Sequence, residues 1–235
     1  MSLAGKWIVV TGGHGDIGKA IYDDLNEQEA CVERPDRGDM DVTDGASVRR
    51  YFDGFPRDGY QVQGLVVCHG APGCIKPSLD LTDEEFQKVI DVDLVGTFRV
   101  CREAARLMLP QGKGHIVVVS SIHALATYPE RAAYAAAKAG VCGLVRALAV
   151  EWAQSGLYVN AVLPGQVWRT QRTANLKTDG IVQASHRSPS GTLIPLKAVA
   201  SAVSFLLASS GINGHSLVVD DAWTASAWFK PHDQR

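Results

Sequence analysis

Residues 7–18 read Trp-Ile-Val-Val-Thr-Gly-Gly-His-Gly-Asp-Ile-Gly, and this stretch decides the fold. The apolar run at residues 7–10 predicts a buried β-strand, the glycines predict a tight turn, and the apolar spacing up to Leu25 predicts a helix. A glycine-rich turn between a strand and a helix lets the backbone approach a pyrophosphate, and the free N–H groups of the helix N-terminus favour negative charge. The stretch therefore predicts a dinucleotide site, whose contacts we expect at Gly12, His14, Gly15, Asp16, Ile17 and Gly18.

The rest of the chain alternates short apolar segments with helical patterns. This alternation predicts an α/β fold with a single Rossmann-type, doubly wound parallel sheet and helices on both faces. We treat residues 1–235 as one domain, because no linker or repeat is visible. Strands are expected at residues 7–10, 30–33, 65–68, 115–120, 158–162 and 216–219, with a very short further strand at 39–42. Helices are expected at residues 18–28, 46–52, 83–109, 131–153 and 197–208.

The composition argues against several classes of protein. A chain of 235 residues that is 46% hydrophobic can bury one sizeable core. A net charge of −2 and a pI near 6.4 give no basis for a nucleic-acid or membrane partner. We expect that no apolar run approaches the roughly 20 residues of a membrane span, and the first residues lack the pattern of a secretory signal. Scattered cysteines in odd number indicate a reduced, cytoplasmic protein, and histidines that do not cluster with them predict no metal site.

Tyr134 and Lys138 lie four residues apart in an Ala-rich segment without Pro, and Ser121 lies thirteen residues before Tyr134. On a helix, positions i and i+4 share a face, so a phenol and an ammonium would lie side by side. A neighbouring cation stabilises a phenolate and lowers the pKa of a phenol from ~10 toward the working range. A serine hydroxyl could then hold the oxygen of an alcohol or carbonyl substrate. Because Tyr-x-x-x-Lys alone is common on helix surfaces, the other motifs decide whether the pair is catalytic.

These motifs, in this order, resemble the short-chain dehydrogenase/reductase family over residues 5 to about 223. After the glycine turn, the landmarks are Asp41 with Val42, Gly70, Ser121, Tyr134 with Lys138, Asn160, Pro164 with Gly165, and Gly214 followed by residues 218–220. Within the family, the chain is most similar to members like 3-oxoacyl-carrier-protein reductase, but the segment between the second and third strands is shortened. The helix that normally connects those strands must be missing, because a parallel crossover needs a dozen or more residues.

The resemblance implies an NAD(P)-dependent oxidoreductase that transfers a hydride between a nicotinamide and a secondary alcohol or ketone. Tyr134 would be the acid/base, Lys138 would bind the nicotinamide ribose, and Ser121 would bind the substrate oxygen. The resemblance further implies a small-molecule substrate of unknown identity, a substrate loop at about 166–195, and a homo-oligomer, either a tetramer or a dimer. Beyond the glycine turn, it implies cofactor contacts at Asp36, Arg37, Asp41, Val42, His69, Gly70, Tyr134, Lys138, Pro164, Gly165 and Val167.

The choice between NAD and NADP depends on the end of the second strand. Asp36 falls where NAD-preferring relatives carry an acid that binds the ribose 2′-hydroxyl and repels a 2′-phosphate. Arg37 follows directly, and an arginine could instead bind that phosphate. We expect NAD rather than NADP. The competing interpretation is that both side chains only stabilise a turn after Pro35.

The sequence departs from the family pattern at Asp16, at residues 67–70 and at Asp93. Asp16 stands where the family usually has its second glycine, and it could face away from the pyrophosphate and cap the helix. The usual Asn-Asn-Ala-Gly after the central strand reads Val-Cys-His-Gly at residues 67–70, so the bonds that tie neighbouring strands must be replaced or lost.

Asp93 replaces an asparagine that commonly supports a proton relay next to the lysine. If Asp93 points toward Lys138 it favours the ammonium form. Otherwise the relay could run through a backbone carbonyl, or Asp93 could only bend its helix. We place Asp93 with the catalytic residues. These departures also leave open a cofactor-binding regulatory protein with little or no turnover, against which the intact Ser121, Tyr134 and Lys138 argue.

Overall fold

The computed structural model describes residues 2–56, 59–168 and 188–226. Within these ranges the chain forms a parallel sheet of six strands in the order β2-β1-β3-β4-β5-β6. The strands are β1 (Trp7–Thr11), β2 (Cys31–Glu33), β3 (Val62–Val67), β4 (Gly114–Val119), β5 (Leu157–Pro164) and β6 (Ser216–Val219). The strand order reverses between β1 and β3, and ligands bind at such a switch point, at the carboxyl ends of the strands.

Helices cover both faces of the sheet, because successive strand residues point to opposite faces. On one face, Ile8 of β1 is buried with Ile21 and Val203; on the other face, Val9 is buried with Val100. The predicted doubly wound α/β fold is therefore confirmed. The helices are α1 (Asp16–Glu27), α2 (Gly45–Asp53), α3 (Asp83–Ile90), α4 (Gly96–Met108), α5 (Ala132–Trp152) and α6 (Leu196–Ala208).

The predicted short strand at residues 39–42 is wrong. The chain leaves β2 into a turn in which Oδ1 of Asp36 accepts hydrogen bonds from the N–H groups of Gly38 and Asp39, at 2.6 and 3.0 Å. Met40 then enters the core, where it is 4% exposed. Because this connection is too short for a crossover, the chain passes directly into α2. The connecting helix is absent as predicted, and β2 forms one edge of the sheet.

The helix predicted at residues 83–109 is interrupted. α3 and α4 flank a π-helical turn at Asp91–Val95. The predicted capping box is present: Oγ1 of Thr82 accepts from the N–H of Glu85, and Oε2 of Glu85 accepts from the N–H of Thr82. The π-helical turn matters for the site because it carries Asp93, whose side chain is fully buried.

α5 contradicts the expectation that no apolar segment is long enough to span a membrane. With its 3-10 extension, Ala132–Ser155 has 24 residues and contains an 18-residue window with a mean hydropathy of 1.4, which suffices by length and composition. Helices in the cores of soluble proteins pass the same test. Here the helix lies against the sheet: Val141 and Val145 are buried in the same core cluster as Val159 of β5. We therefore interpret α5 as a core helix with one face outside the core.

Candidate active site

A cleft of about 380 Å³ opens at the carboxyl ends of the central strands. Its floor and walls come from the glycine turn after β1, the ends of β3 and β4, the first turns of α5, and the loop after β5. The cleft brings together many of the residues that the sequence predicts. These are Gly12, Gly15, Asp16, Ile17, Gly18, His69, Gly70, Ser121, Tyr134, Lys138, Gly165 and Val167.

A wider second cleft of about 1040 Å³ adjoins the first and shares the glycine turn and His69 with it. It lies between the glycine turn, the turn after β2 and the start of α3. The remaining predicted contacts of the nucleotide end line this cleft: His14, Asp36, Arg37, Asp41 and Val42. Of the predicted cofactor residues, Pro164 alone lines neither cleft; it is buried as the last residue of β5.

Ser121, Tyr134 and Lys138 reach the first cleft from two elements. Ser121 follows β4, is 7% exposed, and its Oγ accepts a hydrogen bond from the N–H of His123 at 3.2 Å. Tyr134 lies in the first turn of α5, and Lys138 lies one turn further along. The Nζ atom of Lys138 is 5.5 Å from the centre of the Tyr134 ring. The predicted adjacency of phenol, ammonium and serine hydroxyl is therefore present in one cleft.

Asp93 forms a buried ion pair with Lys138. Oδ2 of Asp93 is 3.1 Å from Nζ of Lys138, and the two side chains are 0% and 6% exposed. Oδ1 of Asp93 accepts a hydrogen bond from the N–H of Ala71 at 2.5 Å. Burial acts to lower the pKa of Lys138, but attraction to Tyr134 and Asp93 outweighs it and raises that pKa above its ordinary value of 10.5. Of the orientations considered from the sequence, the structure has Asp93 pointing at Lys138, where it favours the ammonium form.

His69 replaces the bonds that the family pattern places between neighbouring strands. Its Nδ1 atom lies 2.7 Å from Oγ1 of Thr11, and the same hydroxyl accepts a hydrogen bond from the N–H of Cys68 at 3.3 Å. Burial, reinforced by the charge of Lys138, lowers the pKa of His69 to about 3. His69 is therefore neutral at neutral pH and links the end of β1 to the end of β3. Sequence reasoning missed this link, because nothing local signals a contact across 58 residues.

The glycine turn fits a pyrophosphate group. Gly12 has φ +65°, and a Cβ added there would lie 2.6 Å from the backbone nitrogen of His69. Gly15 is the N-cap residue of α1 and has no side chain that could cap the helix. A glycine at this position leaves room for an anion at the helix N-terminus. Asp16 occupies the first turn of α1, where an acid complements the helix dipole, and it lines the first cleft.

At the nucleotide end, Asp36 stabilises a turn, as the competing interpretation expects, and its contact with a cofactor stays a prediction. Its carboxylate lines the second cleft and also closes the turn after β2, and the bonds from the N–H groups of Asp39 and Gly38 lower its pKa. Hydrogen bonds from Thr43 lower the pKa of Asp41. The guanidinium of Arg37 lies 3.3 Å from Oδ2 of Asp41, although the Arg37 side chain is 84% exposed.

The loop after β5 closes the nicotinamide end of the first cleft. A Cβ on Gly165 would lie 2.9 Å from Cα of Asp220, so only glycine fits between the loop and β6. Val167 forms a parallel bridge with Ile194. Nε2 of Gln166 donates to the hydroxyl of Tyr128 at 3.0 Å. The predicted substrate loop at about 166–195 is described only at its two ends, and residues 169–187 lie outside the described ranges.

The residues that line the first cleft without being predicted from the sequence include His123, Tyr128, Arg131 and Gln166. A local signal existed for Arg131, which precedes Tyr134 by three residues and so shares its helix face. Tyr128 and Gln166 meet across 38 residues, and only the folded chain reveals that contact.

Comparison with known proteins agrees with this geometry. The model of a family described as enoyl-(acyl carrier protein) reductase matches residues 14–224. The chain is 33% identical to cis-4-hydroxycyclohexanecarboxylate dehydrogenase of Sinomonas cyclohexanicum, over 95% of this chain and 98% of that protein. It is 32% identical to a 3-oxoacyl-[acyl-carrier-protein] reductase of Mycobacterium avium, over 93% and 90% of the two chains. It is also 34% identical to an uncharacterised short-chain type dehydrogenase/reductase of Sinorhizobium fredii, over 93% of this chain but only 44% of that protein.

Solved structures share the fold over nearly the whole chain. A putative gluconate dehydrogenase from Agrobacterium tumefaciens has a TM-score of 0.88 and 27% identity, over 95% of this chain and 98% of that one. A gluconate 5-dehydrogenase from Burkholderia cenocepacia, solved with NADP and tartrate, has a TM-score of 0.88 over 96% and 97% of the chains. At 24% identity, that likeness concerns the fold alone.

A parallel sheet with a glycine turn at its switch point, beside a serine, a tyrosine and a lysine, defines the class of NAD(P)-dependent oxidoreductases. The chain belongs to the short-chain dehydrogenase/reductase family, as its sequence motifs predict.

Proposed function

We propose that the protein transfers a hydride between NAD(P) and a secondary alcohol or ketone, with Tyr134 as the acid/base. The observation that carries the proposal is the convergence of Ser121, Tyr134 and Lys138 in one cleft beside the glycine turn. When bound, the nicotinamide supplies the hydride chemistry, and the protein supplies orientation and proton transfer.

Each of the three residues has a distinct role in this proposal. The Ser121 hydroxyl donates to the substrate oxygen and fixes its position. Tyr134 accepts the hydroxyl proton during oxidation and returns it during reduction. Lys138, held as an ammonium by its ion pair, stabilises the phenolate that forms and has donors left for a ribose hydroxyl. Asp93 is a positioning residue that acts through Lys138.

We propose NAD as the preferred cofactor. Two acids with lowered pKa, Asp36 and Asp41, line the nucleotide end of the second cleft and would repel a 2′-phosphate. Arg37 is the cation that could bind such a phosphate, and its guanidinium is already beside Asp41. Measuring kcat/KM with NAD and NADP on one substrate tests this choice, and a higher value with NADP would contradict it.

The experiment that tests the function is a turnover screen with wild-type protein and Tyr134→Phe. The panel contains cis-4-hydroxycyclohexanecarboxylate, gluconate and neutral secondary alcohols, and is read by absorbance of the reduced nicotinamide. We expect turnover of at least one member, and a fall of about 10²–10⁴-fold in kcat for Tyr134→Phe with cofactor binding retained. Near-normal turnover by the variant would contradict the role of Tyr134. Cofactor binding with no turnover across the panel would favour a regulatory protein instead.

We also propose that the protein forms a homo-oligomer through α4 and α5. Val150 on α5 is 81% exposed and Phe98 on α4 is 38% exposed, so both helices present apolar side chains outside the core. Exposed apolar surface of this kind favours association with a second copy. A cytoplasmic location stays a prediction.

A further inference from the structure

Arg131 brings into the first cleft a positive charge that the proposed reaction does not use. It is the N-cap residue of α5, three residues before Tyr134, and it lines the cleft that also holds Ser121. One terminal nitrogen of its guanidinium donates to the carbonyl of Pro72 at 3.3 Å. Pro72 lines the same cleft, so this bond holds the guanidinium at the cleft wall.

Among the described residues, the cleft has two cationic side chains, Lys138 and Arg131, and they differ in whether a carboxylate neutralises their charge. Lys138 has its counter-charge in Asp93, 3.1 Å away. For Arg131, no carboxylate of the described residues lies within the 4.0 Å of an ion pair. A guanidinium has five N–H donors, and its planar fork matches the two oxygens of a carboxylate. Arg131 therefore has the charge and the donors for an anionic ligand.

The wall beside Arg131 is aromatic. The His123 ring meets the rings of Tyr128 and Tyr134 edge-on, with centres 5.0 and 5.5 Å apart. The Trp223 ring also meets the Tyr128 ring edge-on, with the ring centres 5.5 Å apart. Aromatic rings in the wall of a cleft pack against the C–H groups of a ligand. The cleft thus places aromatic rings beside a proton-transfer group and an arginine.

Resting on the proposed function, we propose that the substrate is a hydroxy acid, or the matching oxo acid. Ser121 and Tyr134 hold the oxygen that reacts, and Arg131 binds the carboxylate. In the oxidative direction, the alcohol carbon loses a hydride to the nicotinamide and the hydroxyl loses a proton to Tyr134, which leaves a ketone. The carboxylate is unchanged, so Arg131 acts by binding and orienting the substrate.

A binding experiment tests this assignment without depending on turnover. Cyclohexanecarboxylate and cyclohexanecarboxamide lack a reacting group and are titrated into the full-length protein with NAD present, by calorimetry. We expect the acid to bind at least about tenfold more tightly than the amide, and Arg131→Met to weaken the acid about 10- to 100-fold. Arg131→Lys should weaken it less. Arg49→Met, which removes the same charge from an exposed site on α2, should leave binding unchanged.

Turnover separates this inference from the proposed function. With 4-hydroxycyclohexanecarboxylate, Arg131→Met should raise KM far more than it lowers kcat, whereas Tyr134→Phe should lower kcat and still bind cyclohexanecarboxylate. Binding that depends on Arg131 without turnover supports the carboxylate site and counts against hydride transfer. Equal binding of acid and amide, unchanged binding by Arg131→Met, or equally tight competition by inorganic phosphate would each overturn the carboxylate assignment.

Discussion

Asp93 gives the active-site lysine a permanent counter-charge, where the family commonly has a neutral asparagine. The pair is fully buried, so the protein removes two charges from water in order to hold one ammonium in place. Such a pair adds little net stability compared with apolar residues, but losing one partner is costly because the other is left buried and unpaired. The value of Asp93 is therefore that it fixes the position and charge state of Lys138.

Replacing Asp93 by Ala should destabilise the protein by about 3–5 kcal/mol at neutral pH, because it leaves a buried ammonium unpaired. The N–H of Ala71 loses its acceptor as well. Asp93→Asn should cost less, since an amide oxygen still accepts that bond. Chemical denaturation measures both values, with Asp91→Asn in the same π-helical turn as the control.

The cost of Asp93→Ala should shrink at alkaline pH. The pKa of Lys138 is raised in the folded protein, so its contribution to stability is complete below 10.5 and is lost as the pH rises through the folded value. A loss of stability that is equal for Asp93→Ala and Asp91→Asn would show that the ion pair contributes nothing.

His69 makes folding sensitive to acid. Its pKa is about 3 in the folded protein, so below pH 6.5 the unfolded chain binds a proton that the folded chain does not. Stability should therefore fall as the pH drops from 6.5 toward 3, with His69 contributing up to about 1.4 kcal/mol per pH unit. Denaturation curves between pH 7 and 4.5 should show a shallower fall for His69→Asn than for the wild type. Parallel curves for the two proteins would contradict this account.

At the scale of elements, the sequence predicts those features that depend on near neighbours. The capping pattern at Thr82 and Glu85 and the glycine turn are local, and both are present. The π-helical turn at Asp91–Val95 is not predicted from the sequence, because a single widened turn shifts the apolar period only slightly. The short strand predicted at residues 39–42 is absent, because the turn chemistry of Asp36 prevails there.

In the candidate site too, features set by near neighbours in the sequence are predicted, and features set by distant contacts are not. Ser121, Tyr134 and Lys138 were found because their spacing is short and their order is typical of the family. The contacts that support the site come from elsewhere in the chain: Asp93 of the π-helical turn pairs with Lys138, and His69 after β3 contacts Thr11 of β1. Their contacts arise from the packing of the sheet and its helices, which a spacing rule does not contain.

For the whole molecule, α5 is the element that would link the proposed catalysis to the proposed assembly. It carries Tyr134 and Lys138 into the cleft, and its far end presents Val150 outside the core. When a second copy packs against the uncovered face of an apolar helix, less apolar surface is exposed to water, which favours association. Assembly through this helix would hold the catalytic residues on a rigid support.

Val150→Asp should dissociate the oligomer, because burying a carboxylate between two copies of α5 removes it from water at a cost that Arg146, exposed one turn earlier, offsets only in part. Analytical ultracentrifugation of the wild type and the variant measures the change in mass. Leu79→Asp is the control, since Leu79 is 97% exposed in the short turn before α3 and lies on neither α4 nor α5. A wild-type protein that sediments as a monomer, or a variant that keeps the wild-type mass, would contradict the assembly proposal.

The absence of a strand at residues 39–42 leaves β2 at the edge of the sheet, and this has a consequence for solubility. A sheet margin with free N–H and C=O groups can recruit the strand of another molecule and start a fibril. Here the edge strand β2 has only three residues, and one of them, Glu33, carries a carboxylate. Pro35, which has no N–H to donate, follows two residues later. A strand of three residues that carries a carboxylate gives a foreign strand little to pair with, which disfavours aggregation through this edge.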